Sequence, residues 1–320
     1  MWIRRQSDRP RAGGPVRSVF LAGLAAALAV AASAAGRADT LDRPFTQVRT
    51  LKTGFVRAAR GIAVTPEGRI YAAGDQAVHI IGPGGDHVAF PLRGDPSCIA
   101  IGTNGLLYIG IGDRVDVVEH CGTPRAQWAA PASNSVITSI AVGRESLWVA
   151  DAGRREILRY SPDGAITARW GGRAGEGDTN GLVVPSPHLD VAEDAQGRVW
   201  VANPGRHRLQ IHAPDGALLR TWGFFSHEDP AGFTGCCNPA DFACAPDGTI
   251  VTADKGALAR VRVFDAEGRL LATLIPPGKL NVLELVRLAA GLDVATDARG
   301  RIYVLDPATR TVRVFERKEK

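Results

Sequence analysis

The stretch GRVWVANPGRHRLQIHAPDG, residues 197–216, decides the fold. It opens on a glycine turn, runs through Val199, Trp200, Val201 and Ala202 to Asn203, and turns at Pro204-Gly205. An alternating run follows from Arg208 to His212 and ends in a second turn, Pro214-Asp215-Gly216. Apolar runs of this length between Gly, Pro, Asp and Asn punctuation are the mark of short antiparallel strands. The opening recurs as GRIYAAGD (68–75), GLLYIGIGD (105–113), SLWVAD (146–151), GTIVTAD (248–254) and GRIYVLD (300–306). The closing residues Asp75, Asp113, Asp151, Asn203, Asp254 and Asp306 are spaced by 38, 38, 52, 51 and 52 residues. The second turn recurs too, as SPDG (161–164), APDG (213–216) and DAEG (265–268). A unit of four short strands cannot bury its faces alone, so a fixed period implies stacked units. Six copies predict an all-β chain, a six-bladed β-propeller of four-stranded antiparallel blades. The last copy stops after its third strand, at TVRVFERKEK, and FTQVRTL (45–51) is the candidate for the missing fourth. The expected ring is therefore closed by an N-terminal strand, which removes exposed sheet edges.

The units resemble NHL repeats, whose pattern is a glycine turn, a hydrophobic-aromatic-V-A-D strand, an arginine and an R-V-x-V-F strand. GRVWVANPGRHRLQIHAPDG and GRIYVLDPATRTVRVFE match best, with GTIVTADKGALARVRVFDAEG close behind. The resemblance covers residues 41–320 and implies architecture rather than activity, because propellers of this kind serve as scaffolds, binding modules and enzymes. Propeller hydrolases of the lactonase type use Asp, Glu and Asn around a channel calcium. Amidating lyases with similar repeats hold zinc with three histidines on inner strands. Here only His188 occupies such a place, and Pro239 and Gly291 stand at the equivalent positions. That departure counts against the lyase.

Residues 1–38 read as a secretory signal peptide. Arg4, Arg5, Arg9, Arg11 and Arg17 precede the apolar run SVFLAGLAAALAVAASAAG, and small residues suited to cleavage follow at ASA and GRA. A retained anchor is the alternative, since the run borders on the length that spans a bilayer. The expected product is residues 39–320, exported to the periplasm or beyond the cell. The chain carries 38 basic and 33 acidic residues; with six arginines and one aspartate in residues 1–38, the remainder holds 32 of each. A neutral domain gives no footing for nucleic acid. A monomer is expected, with a protein or a small molecule as partner.

The first strand of each blade should line the central channel. Seven residues before the turn glycines stand Gly61, Cys98, Asp190, Asp241 and Asp293, and Ser139 is the nearest match in blade three. Asp190, Asp241 and Asp293 thus converge at one height near a channel mouth. Three carboxylates there repel one another unless a divalent cation, water or arginines compensate. The competing expectation is that each carboxylate accepts backbone N–H groups of its own lead-in loop. Blades four to six are also the long ones. Their extra residues fall in the connections 171–188, 223–239 and 276–291, the last with an apolar helical period in LNVLELVRLAA. Loops gathered at one end of a rigid scaffold are where binding sites are built. His188, Lys255 and Arg206 are the polar candidates to join the three aspartates in binding a ligand. For Arg206 and Lys255, as for Arg154, Arg155, His207, Arg260 and Arg310, pairing with the repeat aspartates, which holds adjacent blades together, is the plain alternative. Trp148, Trp200, Tyr71, Tyr108 and Tyr303 share one strand position and are expected to pack between blades.

Three of five cysteines fall in GCCNPADFAC, with Cys236 and Cys237 adjacent. Pro239 cannot join a sheet ladder and marks the strand's beginning, so the pair should sit on the loop at the rim of the face, outside the blade core. Oxidation of the pair to a vicinal ring, a bridge to Cys98 and a soft-metal site with His188 all remain open. No G-x-S-x-G elbow and no glycine-rich phosphate loop before a helix is present. The expected function is binding of a partner or small ligand on the face of blades four to six, with a calcium- or transition-metal-dependent hydrolase or lyase as the alternative.

Overall fold

A computed structural model describes residues 44–318 except 56, 130, 176, 177 and 179. The signal peptide read over residues 1–38 lies outside the described residues. Six four-stranded antiparallel sheets follow one another as the blades of a propeller. In blades one to five the strand order follows the chain. In blade six, Asp293–Thr296, Ile302–Asp306 and Thr311–Arg317 are followed by the first strand of the chain, Phe45–Lys52, antiparallel to Thr311–Arg317.

The repeat explains the layering. The second strands of blades one, three, four, five and six, such as Val199–Asn203, are buried along their whole length. Their side chains meet a neighbouring blade on each face, which is why the runs are apolar without alternation. Outer strands such as His87–Pro91 are exposed almost throughout. The core lies between blades. Trp148 of blade three packs with Val191, Val199 and Val201 of blade four, and Trp200 packs with Phe242 and Ile250 of blade five. The indole N–H of Trp148 donates to Glu193 of the next blade at 2.7 Å. The recurring aromatic position is therefore inter-blade packing, as its period implied. The turn glycines Gly68, Gly105, Gly197, Gly248 and Gly300 take φ between 72° and 90°, a region that side chains with a Cβ avoid.

In blades one, three and four the residues that close the second strands hold the lead-in loops. Asp75 accepts from the backbone N–H of Arg57 and Ala58 at 2.6 and 3.0 Å. Asp151 accepts from Val136 at 2.9 Å, and Asn203 from Val183 at 2.9 Å. Blade five differs. Asp254 is buried against Arg260 and Arg262, at 2.9 Å from each. Arg262 is fully buried, donates to the carbonyls of Pro230 and Gly232 at 2.8 and 2.9 Å, and lies over the rings of Phe233 and Phe264. One guanidinium thus pins the long connection of blade five to its sheet. In the connection to blade six, the predicted helix forms over Val282–Arg287. The Asn281 side chain accepts from Glu284 N at its start, and Leu285 is its buried residue. Among the described residues no helix is long and apolar enough to cross a membrane.

Candidate ligand-binding site

All three predicted aspartates face one channel cavity of about 380 Å³, together with Cys98 and Ser139. Asp190 accepts from its own Val191 N–H at 2.9 Å and from Phe242 N–H of blade five at 2.7 Å. Asp241 accepts from Val294 of blade six at 3.0 Å, and Asp293 from Ile62 of blade one at 2.8 Å. The expectation that they hold their own lead-in loops is corrected. That duty belongs to Asp75, Asp151 and Asn203, and the channel carboxylates stitch each blade to the next. They are half-exposed to the channel yet walled by protein. Burial pushes Asp190 up to about 7, helped by the charge of Asp293 against opposing hydrogen bonds. Burial raises Asp293 to about 6. Asp241 lies well above the ordinary carboxylate value through burial and the charges of Asp293 and Asp190. The divalent-cation expectation gains no support, since among the described residues no set of three His, Cys, Asp or Glu side chains is arranged to hold a metal.

Beside the channel lies a larger cavity of about 930 Å³, and His188, Gly291 and Leu292 line both. Its walls are Leu258, Val282, Leu285, Val286 and Ala290, and its polar groups include Lys255, His188, Cys236 and Cys237. The helix supplies one wall through residues 282, 285 and 286, the spacing of one helical face. Asn238 supports the opposite wall. It is buried, accepts from Lys255 N–H at 2.8 Å, and donates to the Thr234 carbonyl at 2.6 Å. Arg60, on the first strand of blade one, reaches the carbonyls of Ala289 and Leu288 at 2.6 and 3.1 Å. A cation set on the last carbonyls of a helix is favourably placed, and here it straps the helix across the mouth.

The cysteine pair lies on the loop ahead of Asp241–Cys244, where Pro239 placed it. Cys236 is exposed, whereas Cys237 is 3% exposed, so one half of the rim pair is buried. Their sulfurs are 2.9 Å apart. The Lys255 ammonium donates to the Ser186 hydroxyl at 2.7 Å. Burial works to raise the Cys237 thiol. Hydrogen bonds from Cys236 and Ser186 and the Lys255 charge outweigh it and hold Cys237 below the ordinary thiol value. Cys236 shifts the other way, first because it donates its hydrogen bond to Cys237. Burial, then Lys255 and Arg60, pushes His188 down to about 4, so its ring is neutral at pH 7.

Of the predicted site residues, Lys255, His188, Cys236 and Cys237 come together. Arg206 does not join them. Its Nε donates to the Gly181 carbonyl at 3.1 Å and its Nη2 to that of Asp178, so it props a loop of blade four. The bridge to Cys98 is absent. That residue is a buried, unpaired cysteine of blade two, in contact with the Ser97 hydroxyl at 3.9 Å. Sequence reasoning missed Arg60 and Ser186, and no local pattern marks either. The apolar period gives the helix, but not that its 282, 285 and 286 face walls a cavity.

No family model matches the chain, and no curated protein matches it. Solved structures do. The chain is similar to virginiamycin B lyase from Staphylococcus aureus at 12% identity and a TM-score of 0.58, covering 85% of this chain and 99% of that one. It is similar to a protein of unknown function from Bacteroides thetaiotaomicron at 14% identity and a TM-score of 0.59, covering 85% and 71%. A chain of a mitotic checkpoint complex aligns at 10% identity and a TM-score of 0.59, covering 100% and 99%. At such identities the likeness carries the fold alone: this is a six-bladed β-propeller.

Proposed function

We propose that this chain is an exported propeller whose upper face, at blades four to six, binds a small and mostly apolar molecule in the cavity between the Cys236–Cys237 loop and the 282–287 helix. One observation carries the reading: a cavity of about 930 Å³ walled by Leu258, Val282, Leu285, Val286 and Ala290, with its polar groups gathered around Lys255 and His188. Ligand sites are of this size and composition, apolar walls with a few placed polar groups. The neutral His188 and the Lys255 ammonium supply orientation, and the walls supply affinity through buried area. The three channel aspartates stand beyond the shared wall and serve as part of the frame. Export rests on the reading of residues 1–38.

The test is a titration of purified residues 39–320 with a neutral solvatochromic dye such as Nile red. Saturable, blue-shifted emission is expected, and Ala290→Trp, which fills the cavity from one wall, should abolish it without moving the thermal midpoint by more than a few degrees. Dye emission that does not saturate, or that is indifferent to Ala290→Trp, would sink the reading.

A further inference from the structure

Two features of the cysteine pair are unused by a passive pocket. The first is asymmetry: Cys236 is exposed and Cys237 is buried, with the sulfurs 2.9 Å apart. The second is placement. Both line the cavity, and Lys255 and Ser186 gather on the Cys237 side. The remaining cysteines have no such setting: Cys121 is exposed on an outer turn, and Cys98 and Cys244 are held as thiols by burial.

We propose that Cys236 and Cys237 form a two-thiol exchange site that reduces disulfides carrying an apolar group which enters the cavity. This rests on the cavity reading above and adds a reaction to it. In its thiolate form, which the neighbouring Lys255 favours, Cys237 takes the proton of Cys236 across the short contact. The Cys236 thiolate then attacks one sulfur of the bound disulfide, forming a mixed disulfide and releasing the first thiolate, which is protonated in leaving. Cys237 returns its proton to solvent and attacks the Cys236 sulfur. The mixed disulfide breaks, the second thiolate departs and takes up a proton, and a Cys236–Cys237 disulfide remains. The substrate disulfide is reduced to two thiols and the cysteine pair is oxidised, so atoms and electrons balance. The roles follow from accessibility and charge: attack needs a sulfur the substrate can reach, and resolution needs a thiolate at hand. Adjacent residues lie closer along the chain than an unstrained disulfide prefers, so an external thiol readily reopens the product.

The test uses Cys121→Ser protein, reduced, freed of reductant and treated at pH 7 with 4,4′-dithiodipyridine, a neutral aromatic disulfide. Release of thiopyridone from both pair cysteines is expected, with no retained adduct and a mass lower by two hydrogens. Adding Cys237→Ser should trap the mixed disulfide on Cys236. Adding Cys236→Ser should slow the reaction by about tenfold or more, and Lys255→Met should slow it by about tenfold through loss of thiolate. A stable adduct on the parent, or no reaction, overturns the proposal. Equal rates for the two single-cysteine variants overturn the division of roles. Dye titration of the same samples separates the two readings. Dye binding without exchange defeats only the chemistry, whereas exchange with no saturable dye binding defeats the apolar-ligand reading and the substrate class drawn from it, leaving the two-thiol exchange itself.

Discussion

Blades one to three and blades four to six are built from the same repeat, yet the cavity of about 930 Å³ is lined by residues of the second half. Between Asp75, Asp113 and Asp151 the period is 38 residues, and between Asp151, Asn203, Asp254 and Asp306 it is 51 or 52. The surplus lies outside the sheets, in connections that enter the first strands. At one register of the first strands, blades one to three carry Gly61, Cys98 and Ser139, whereas blades four to six carry Asp190, Asp241 and Asp293, and all of these but Gly61 line the channel cavity. A propeller blade needs about four short strands and their turns. Anything longer must be held by contacts of its own, because a loop that leaves the sheet gives up ladder hydrogen bonds. In blade five those contacts are a buried guanidinium and Asn238. In blade six they are a capped helix and Arg60. The short half shows what suffices to fold, and the long half shows what is added to build a cavity beside the channel.

The largest effect should come from the strand that joins the two ends of the chain. Phe45–Lys52 covers the edge of Thr311–Arg317. Deleting residues 39–53 exposes that edge, and the expected result is loss of a soluble monomer, read by gel filtration and light scattering. A truncated chain that stays monomeric with an unchanged thermal midpoint would show that the pairing does not hold the ring. Next comes Arg262→Met, which leaves Asp254 buried with one guanidinium fewer and frees the carbonyls of Pro230 and Gly232. Breaking a buried pair from one side costs about 3–5 kcal/mol. Denaturant unfolding should register that loss. An exposed pair such as Arg269–Asp265, on a hairpin of the same blade, should cost under about 1 kcal/mol when broken. Equal losses would erase the distinction between buried anchor and surface pair.

Much of this was legible in the sequence, and what was not has a physical reason. The blades were readable because each strand and turn is specified locally: a glycine for positive φ, a run of apolar residues, an Asp or Asn to hold a loop. The channel aspartates were readable because register along a repeat is additive. Their partners were not. Asp241 accepts from Val294 and Asp293 from Ile62, contacts across 53 and 231 residues that no local pattern encodes. The cavity has the same character. The helix could be read from its period, but its seating against residues 235–258 depends on Arg60, which lies 229 residues before the carbonyl it caps. The cysteine loop was placed correctly by Pro239. The burial of Cys237 depends on Lys255 and Ser186, supplied by other loops.

A smaller effect sharpens the contrast at the channel. Burial raises Asp293 to about 6 and Asp190 to about 7, and holds Asp241 well above the ordinary carboxylate value. Below about pH 4 these groups are protonated in both the folded and the unfolded chain. As pH rises from there, the unfolded chain releases protons that the folded chain keeps, so stability falls until the folded values are passed. The thermal midpoint should therefore drop between pH 5 and pH 8. Asp241→Asn keeps an acceptor for the Val294 N–H and removes one charge. It should flatten the drop and raise the midpoint at pH 8 by a few degrees. A wild-type midpoint that is level across this range would show that burial does not raise these carboxylates in the folded chain.

The smallest expected effect tests where the long half stops being a site. On the 282–287 helix, Leu283 is 70% exposed and Leu285 is 5% exposed. Leu285 faces the cavity and the core, and Leu283 lines neither. Removing an exposed side chain with no buried contacts changes stability by no more than about 0.5 kcal/mol. Leu283→Ser should fall within that bound and leave dye affinity within about twofold. Leu285→Ala deletes buried methyl groups and a stretch of cavity wall. It should cost about 2–5 kcal/mol and weaken the dye as well. Calorimetry and dye titration on the two variants read both quantities. If Leu283→Ser weakens binding as much as Leu285→Ala does, the outer face of the helix also contacts the ligand, and the site extends beyond the cavity onto the open rim of blades five and six.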